Sequence, residues 1–291
     1  MIREKAIIDI KKMNKYTSKF LLINDQINFI AENKIEFKEF DRIFDNVLKF
    51  LKIRLNDYKK IRVYINNGYS QFKKNKIYIG ISKKLEEEYY LFMLFKHELI
   101  HLLIYKYFGV APAIFWEGLP IYLSDYQYRM KYKNINYDEY CKVFLSLINL
   151  NKLSYILESE KYYARRYDYR IDIQCGSFIG FLVKKYNIDL LLDVFKKYEK
   201  PTTTNPVSNI NNLLKSIYSK NLEELEAEWI EYLKKKIKLN KNLKNKLKNK
   251  IFYKRIPIKQ YHCKFCYSPL RMKNQICDVC KSDNNIKILY K

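Results

Sequence analysis

The sequence predicts an α+β fold: a small N-terminal β-sheet with a helix packed on it, a mainly helical domain after it, and a small cysteine module at the end. Three observations predict it. Apolar residues alternate at period two only in short stretches before residue 82, the signature of half-buried strands. From residue 86 onward the apolar spacing becomes helical. The chain then closes on two C-x-x-C pairs, Cys263–Cys266 and Cys277–Cys280.

The elements follow in order. Lys19 to Asn24 (KFLLIN) reads as a strand. Phe37 to Leu55 carries Phe40, Ile43, Phe44, Val47, Leu48 and Leu51 at helical spacing. Lys60 to Ile65 alternates, with Ile61, Val63 and Ile65 on one face, and Asn66-Asn67-Gly68 is a turn signal. Lys76 to Ile81 alternates again through Ile77, Ile79 and Ile81. A helix follows directly: Glu86, Glu87 and Glu88 suit the positive end of its dipole, and Gly109 and Pro112 supply the stop. Its apolar residues lie nearly all round, as in a helix buried in a core. Helices are then expected over Trp116 to Tyr128, Tyr137 to Asn149, Gly176 to Lys185, Leu190 to Tyr198 and Leu222 to Lys236. Lys200 to Asn209, with two prolines and three threonines, reads as a loop. Lys234 to Lys250 alternates lysine and asparagine with Ile237, Leu243 and Leu247, and fits either a basic helix extension or a solvated linker.

His97-Glu98-Leu99-Ile100-His101 carries the chemistry. Histidines at i and i+4 share one helix face, one turn apart, so both imidazoles reach a single ion. A glutamate beside the first can take a proton from water on that ion. The chain has only three histidines, so this arrangement is a poor fit to accident. A catalytic zinc needs three protein ligands and one open position. His262 adjoins the cysteines, and the position for a third histidine of the H-E-x-x-H-x-x-G-x-x-H pattern holds Tyr107. The third ligand is therefore expected to be a carboxylate on a following helix. Glu117, sixteen residues after His101, is the candidate. Gly118 would let its helix approach closely, Pro120 is compatible with a first turn, and Asp125 could orient a ligand from behind.

These residues resemble the gluzincin metallopeptidases, and most the peptidase MA-like domain family. HELIH followed by EGLPIY is similar to that family's H-E-x-x-H and E-G-L-A-x-Y helices, with Pro120 where the family usually has Ala. Gly176 to Leu182 (GSFIGFL) is similar to its G-S-F-x-x-x-L helix, and Leu222 to Leu233 (LEELEAEWIEYL) to its terminal L-x-x-L-E-x-x-W helix. The likeness covers residues 15–236. It implies a zincin-like catalytic domain over residues 1–236, with Zn²⁺ on His97, His101 and Glu117 and with Glu98 as general base. No histidine remains to steady an oxyanion, so a tyrosine is expected. Tyr163, Tyr167 and Tyr169 lie just before the Gly176 helix, and Tyr169 is carried forward as a catalytic candidate.

The cysteine pairs, ten residues apart, suit a four-thiolate structural zinc on Cys263, Cys266, Cys277 and Cys280. Residues 259–291 would then form a zinc ribbon, with residues 237–258 a basic linker or helix extension. So short a segment depends on its ion for stability. Cys141 and Cys175 are expected as buried core thiols. The net charge is +25. Between Glu231 and Asp278 there are fifteen Lys or Arg and no acid. Abundant Lys, Asn, Ile and Tyr also suggest an AT-rich coding bias behind part of that charge. Nucleic acid is thus a candidate partner through the basic segment and ribbon, beside a peptide or protein substrate. No signal-peptide core or membrane span is legible, and the cysteine usage suits a reducing compartment, so the cytoplasm is the expected location. Two other readings share these features. SprT-like proteases, which act on DNA-bound proteins, resemble the chain in architecture but look for a third histidine. A non-catalytic zinc-ribbon adaptor would bind nucleic acid or protein without cutting, and has no need of Glu98.

Overall fold

A computed structural model describes residues 20–24, 37–54, 61–66, 70–73, 76–80, 88–124, 135–147, 150–157, 169–199, 206–248, 261–262 and 269–270. The chain forms two compact units: Met1–Tyr107 with Leu123–Tyr126, and Phe108–Tyr122 with Gln127–Lys291.

In the first unit, β1 (Phe20–Asn24), β2 (Ile61–Asn66), β3 (Gln71–Lys73) and β4 (Lys76–Gly80) form one sheet in the order β1-β2-β4-β3. β1, β2 and β4 run parallel, and β3 pairs antiparallel with β4 at the edge. Helix α1 (Phe37–Phe50) lies between β1 and β2 in the chain, as a parallel pair requires a crossover. The alternation in the sequence does the expected work. Ile61, Val63, Ile77 and Ile79 are buried, while Tyr64 and Tyr78, paired across β2 and β4, stack with ring centroids 4.8 Å apart. Helix α2 (Glu88–Tyr107) packs on β3, β4 and α1. Phe40 of α1 meets Phe92 and Phe95 edge-on, at 5.0 and 4.7 Å between centroids. Leu91, Met93, Leu94, Leu99 and Leu103 are buried round the whole circumference of α2. That explains why the helix shows no amphipathic stripe. β3 was not expected: three residues are too short to show an alternation.

The second unit contains α3 (Ala113–Ser124, of which the last two residues belong to the first unit), α4 (Tyr137–Leu147), α5 (Leu153–Leu157), α6 (Tyr169–Tyr186), α7 (Ile188–Lys197), α8 (Pro206–Tyr218), α9 (Leu222–Lys236) and α10 (Lys241–Lys248), with short strands β5 (Tyr261–His262) and β6 (Pro269–Leu270) paired antiparallel. Its core gathers on α6: Phe178 meets Trp229 of α9 at 5.8 Å and Phe115 of α3 at 6.3 Å. α9 starts at a capping box, in which Asn221 Oδ1 accepts from Glu224 N and Glu224 accepts from Asn221 N.

Five expectations are corrected here. α3 starts at Ala113, because the Pro112 carbonyl already accepts from Phe115 N and Trp116 N. Pro120 is therefore the eighth helical residue and not in the first turn. α6 starts at Tyr169, seven residues before Gly176. Pro206 to Asn209 belongs to α8 rather than to a loop, with proline at the first helical position, where its missing N–H has no intrahelical role. Finally, residues 237–248 are neither a linker nor an extension of α9: Ile237 is extended and ends α9, and Asn240 starts the separate helix α10. No helix among the described residues is long and apolar enough to cross a membrane. The fold is thus mainly helical with a small sheet, in keeping with the α+β class.

Candidate metal centre

The site begins with the burial of α2. His97 and His101 are 7% and 4% exposed, and Glu98 is 7% exposed. Polar groups at that depth must be held by partners or by an ion. Helical spacing turns the two imidazoles toward one point, leaving His97 Nε2 and His101 Nε2 3.2 Å apart with their rings at 77°. Two imidazole nitrogens on a tetrahedral zinc, each ~2.05 Å from the ion, stand ~3.3 Å apart. The pair is therefore spaced as zinc would require. Phe72 of the edge strand β3 lies flat against His101, with 5.9 Å between centroids and 18° between planes, and also touches Tyr105. This packing covers one face of the His101 ring. Sequence reasoning missed Phe72 because it missed β3.

Glu117 is carried by α3, and the reason for its placement is legible in small residues. A Cβ on Gly118 would lie 2.6 Å from Ile179 Cγ1 and 3.0 Å from the Cys175 carbonyl oxygen, so only glycine allows α3 to come so close to α6. The complementary surface is Gly176 and Gly180 of α6, which accept Ile121 and Tyr122 of α3: the corresponding Cβ atoms would come within 2.8 and 2.9 Å of them. Tyr137 OH donates to the Ile121 carbonyl at 3.0 Å, satisfying an acceptor in the last turn of α3. EGLPIY and GSFIG are thus two halves of one helix crossing.

One ligand atom each from His97, His101 and Glu117 lie within 4.8 Å of one another. Among the described residues this is the one grouping of three or more His, Cys, Asp or Glu side chains placed to hold a metal ion. Two imidazole nitrogens and one carboxylate oxygen are a donor set that suits a catalytic zinc, which takes three protein ligands and a water.

Cys175 lies beside this crossing and is not part of the three-residue grouping. Burial first, and then the nearby charges of Asp172 and Glu117, push its thiol well above its usual range, so it stays protonated. Cys141 is likewise buried, and burial raises its thiol. Both match the expected core thiols.

A buried network supports the rest of α6. Ser177 donates to Asp138 at 2.6 Å and accepts from Trp229 Nε1 at 3.0 Å. Asp138 also accepts from Lys184 at 2.8 Å and Tyr232 at 2.9 Å. Burial lowers the Lys184 ammonium, but the hydrogen bond and charge of Asp138 outweigh it and hold it above its usual value. The serine of GSF and the tryptophan of α9 therefore belong to one packing unit rather than to chemistry.

Tyr169 is the first residue of α6. Tyr163, Tyr167, Asp125 and the four cysteines Cys263, Cys266, Cys277 and Cys280 lie outside the described residues. Comparison with protein-family models, with curated proteins and with solved structures finds no match to this chain.

Proposed function

We propose that this chain is a zinc-dependent metallopeptidase in which His97, His101 and Glu117 hold the catalytic ion and Glu98 is the general base. The observation that carries the reading is the clustering of those three ligand atoms within 4.8 Å. The zincin-like architecture and the family resemblance remain part of this proposal. Bound zinc would polarise the scissile carbonyl and bring the pKa of its water toward ~7. Glu98, adjoining His97 on the buried helix, accepts a proton as the water oxygen bonds to the carbonyl carbon. It then returns that proton to the amide nitrogen as the C–N bond breaks, leaving a carboxylate and an amine. Tyr169 is the proposed donor to the oxyanion.

Cys263, Cys266, Cys277 and Cys280 are proposed to hold a second, structural zinc, on the strength of their spacing alone. The substrate is a peptide or protein, nucleic acid is the second partner class, and the proposed location is the cytoplasm. Intact Glu98 favours an enzyme over a non-catalytic adaptor, since binding alone has no use for a base.

Glu98→Gln keeps the size of the side chain and removes the base. Hydrolysis of a casein or mixed-peptide substrate should fall by about 10²–10⁴ while the zinc content stays that of the unaltered protein. Unchanged hydrolysis in the variant would remove Glu98 from the chemistry, and no hydrolysis by the unaltered protein would favour the adaptor.

A further inference from the structure

The charge of this chain is concentrated where the structure has a docked helix. Eight lysines and no acidic residue lie between residues 232 and 248. The order of that segment comes from side chains other than the lysines. Asn240 Oδ1 accepts from Leu243 N at 2.9 Å, its carbonyl accepts from Lys244 N at 2.9 Å, and its amide donates to Glu139 of α4 at 3.0 Å. Leu243 and Leu247, one turn apart, are 1% and 3% exposed, and α10 packs on α4. The capped helix is thus seated by its leucine stripe. Lys238, Lys241 and Lys246 are exposed, and so are Asn242 and Asn245 between them. Two acids beside the segment are held by it: Glu139 accepts from Asn240, and Glu231 pairs with Lys235.

We infer that the segment from Lys234 to Lys248, the end of α9 with α10, is a preformed binding surface for the phosphate backbone of nucleic acid. Fixed lysines one to two turns apart can each meet a phosphate without first ordering a chain, and the asparagine amides can donate to phosphate or sugar oxygens. The alternatives lack their anchors. An interfacial membrane helix places large apolar side chains opposite its lysines and leaves them free to insert. Here that stripe, Leu243 and Leu247, is buried against the protein. A protein interface needs apolar or aromatic anchors. The one exposed large hydrophobic among the described residues is Tyr155, on α5. The inference deepens the nucleic-acid reading of the partners and rests on it, but owes nothing to the metal site. No base-reading element is involved, so binding should be indifferent to sequence.

The experiment is fluorescence anisotropy of the full chain with a labelled DNA duplex of arbitrary sequence, titrated over salt. The unaltered protein should bind, with affinity falling steeply as salt rises. Changing Lys238, Lys241 and Lys246 together to Gln should weaken binding about tenfold or more at low salt. The slope of log affinity on log salt should flatten by about 2–3, close to 0.9 per lost phosphate contact. The same three changed to Arg should bind as before, and circular dichroism and zinc content should be unchanged in both variants. Retained affinity and slope in the Gln variant would overturn this surface while leaving nucleic-acid binding to another part of the chain. No binding by the unaltered protein, or binding to phosphatidylserine vesicles in preference to the duplex, would overturn both.

Discussion

His97 Nε2 and His101 Nε2 stand 3.2 Å apart, and that separation serves equally a tetrahedral zinc and a hydrogen bond between two neutral imidazoles. The carboxylate of Glu117 in the same cluster is what tips the chemistry toward a cation. The grouping itself was legible because residue type and spacing combine in it: His-x-x-x-His on one helix, then one carboxylate on the next. Phe72 was not legible, because a stacking contact leaves no spacing rule in the sequence. Nor was Glu228, whose role depends on three distant partners. It accepts from Lys185 at 2.9 Å and from Tyr186, and pairs with Lys220 at 2.9 Å. Burial alone would raise its carboxyl. The hydrogen bonds from Tyr186, Lys185 and Lys220 outweigh burial and hold it at about 2. A depressed carboxylate contributes stability that is present above its unfolded value of ~4.3 and is lost as pH falls toward the folded value. The unaltered protein should therefore melt higher than Glu228→Gln at neutral pH, with the difference shrinking between about pH 4.5 and 2. A pH-independent difference in melting temperature would contradict this. The effect will be modest, since the side chain is partly solvated.

At the scale of elements, the sequence shows where a helix is amphipathic or capped, and little else. α9 has the predicted bounds because Asn221 and Glu224 form a capping box and its apolar stripe is regular. α3 was placed three residues late because its start depends on the Pro112 carbonyl, which periodicity does not register. α10 was ambiguous because lysine and asparagine dominate it, and only the burial of Leu243 and Leu247 distinguishes a docked helix from a solvated segment. The crossing of α3 with α6 is the element that places Glu117, and Gly118 is its tightest point. In Gly118→Ala the added methyl meets the backbone at Cys175, which cannot rotate away. Overpacking of this kind costs about 1–3 kcal/mol. The variant should melt several degrees lower, and zinc should raise its melting temperature less than it raises that of the unaltered protein. An unchanged melting temperature and zinc response would show that α3 tolerates displacement and that Gly118 does not set the ligand position.

At the scale of the molecule, the α+β class was readable from the change of period near residue 82, from two to helical. The association of β1, β2 and β4 in parallel was not, since pairing across a helical crossover depends on contacts far apart in the chain. The two proposed zinc sites differ in kind: an open one with nitrogen and oxygen donors for chemistry, and a closed one with four sulfurs for stability. The proposed catalytic zinc is tested by the zinc content, measured by inductively coupled plasma mass spectrometry, of the purified full chain and of Glu117→Ala. About two zinc ions per chain should fall to about one in the variant, with the remaining ion on the four cysteines. One zinc in both proteins would mean that His97, His101 and Glu117 hold no ion, and would contradict the metallopeptidase reading.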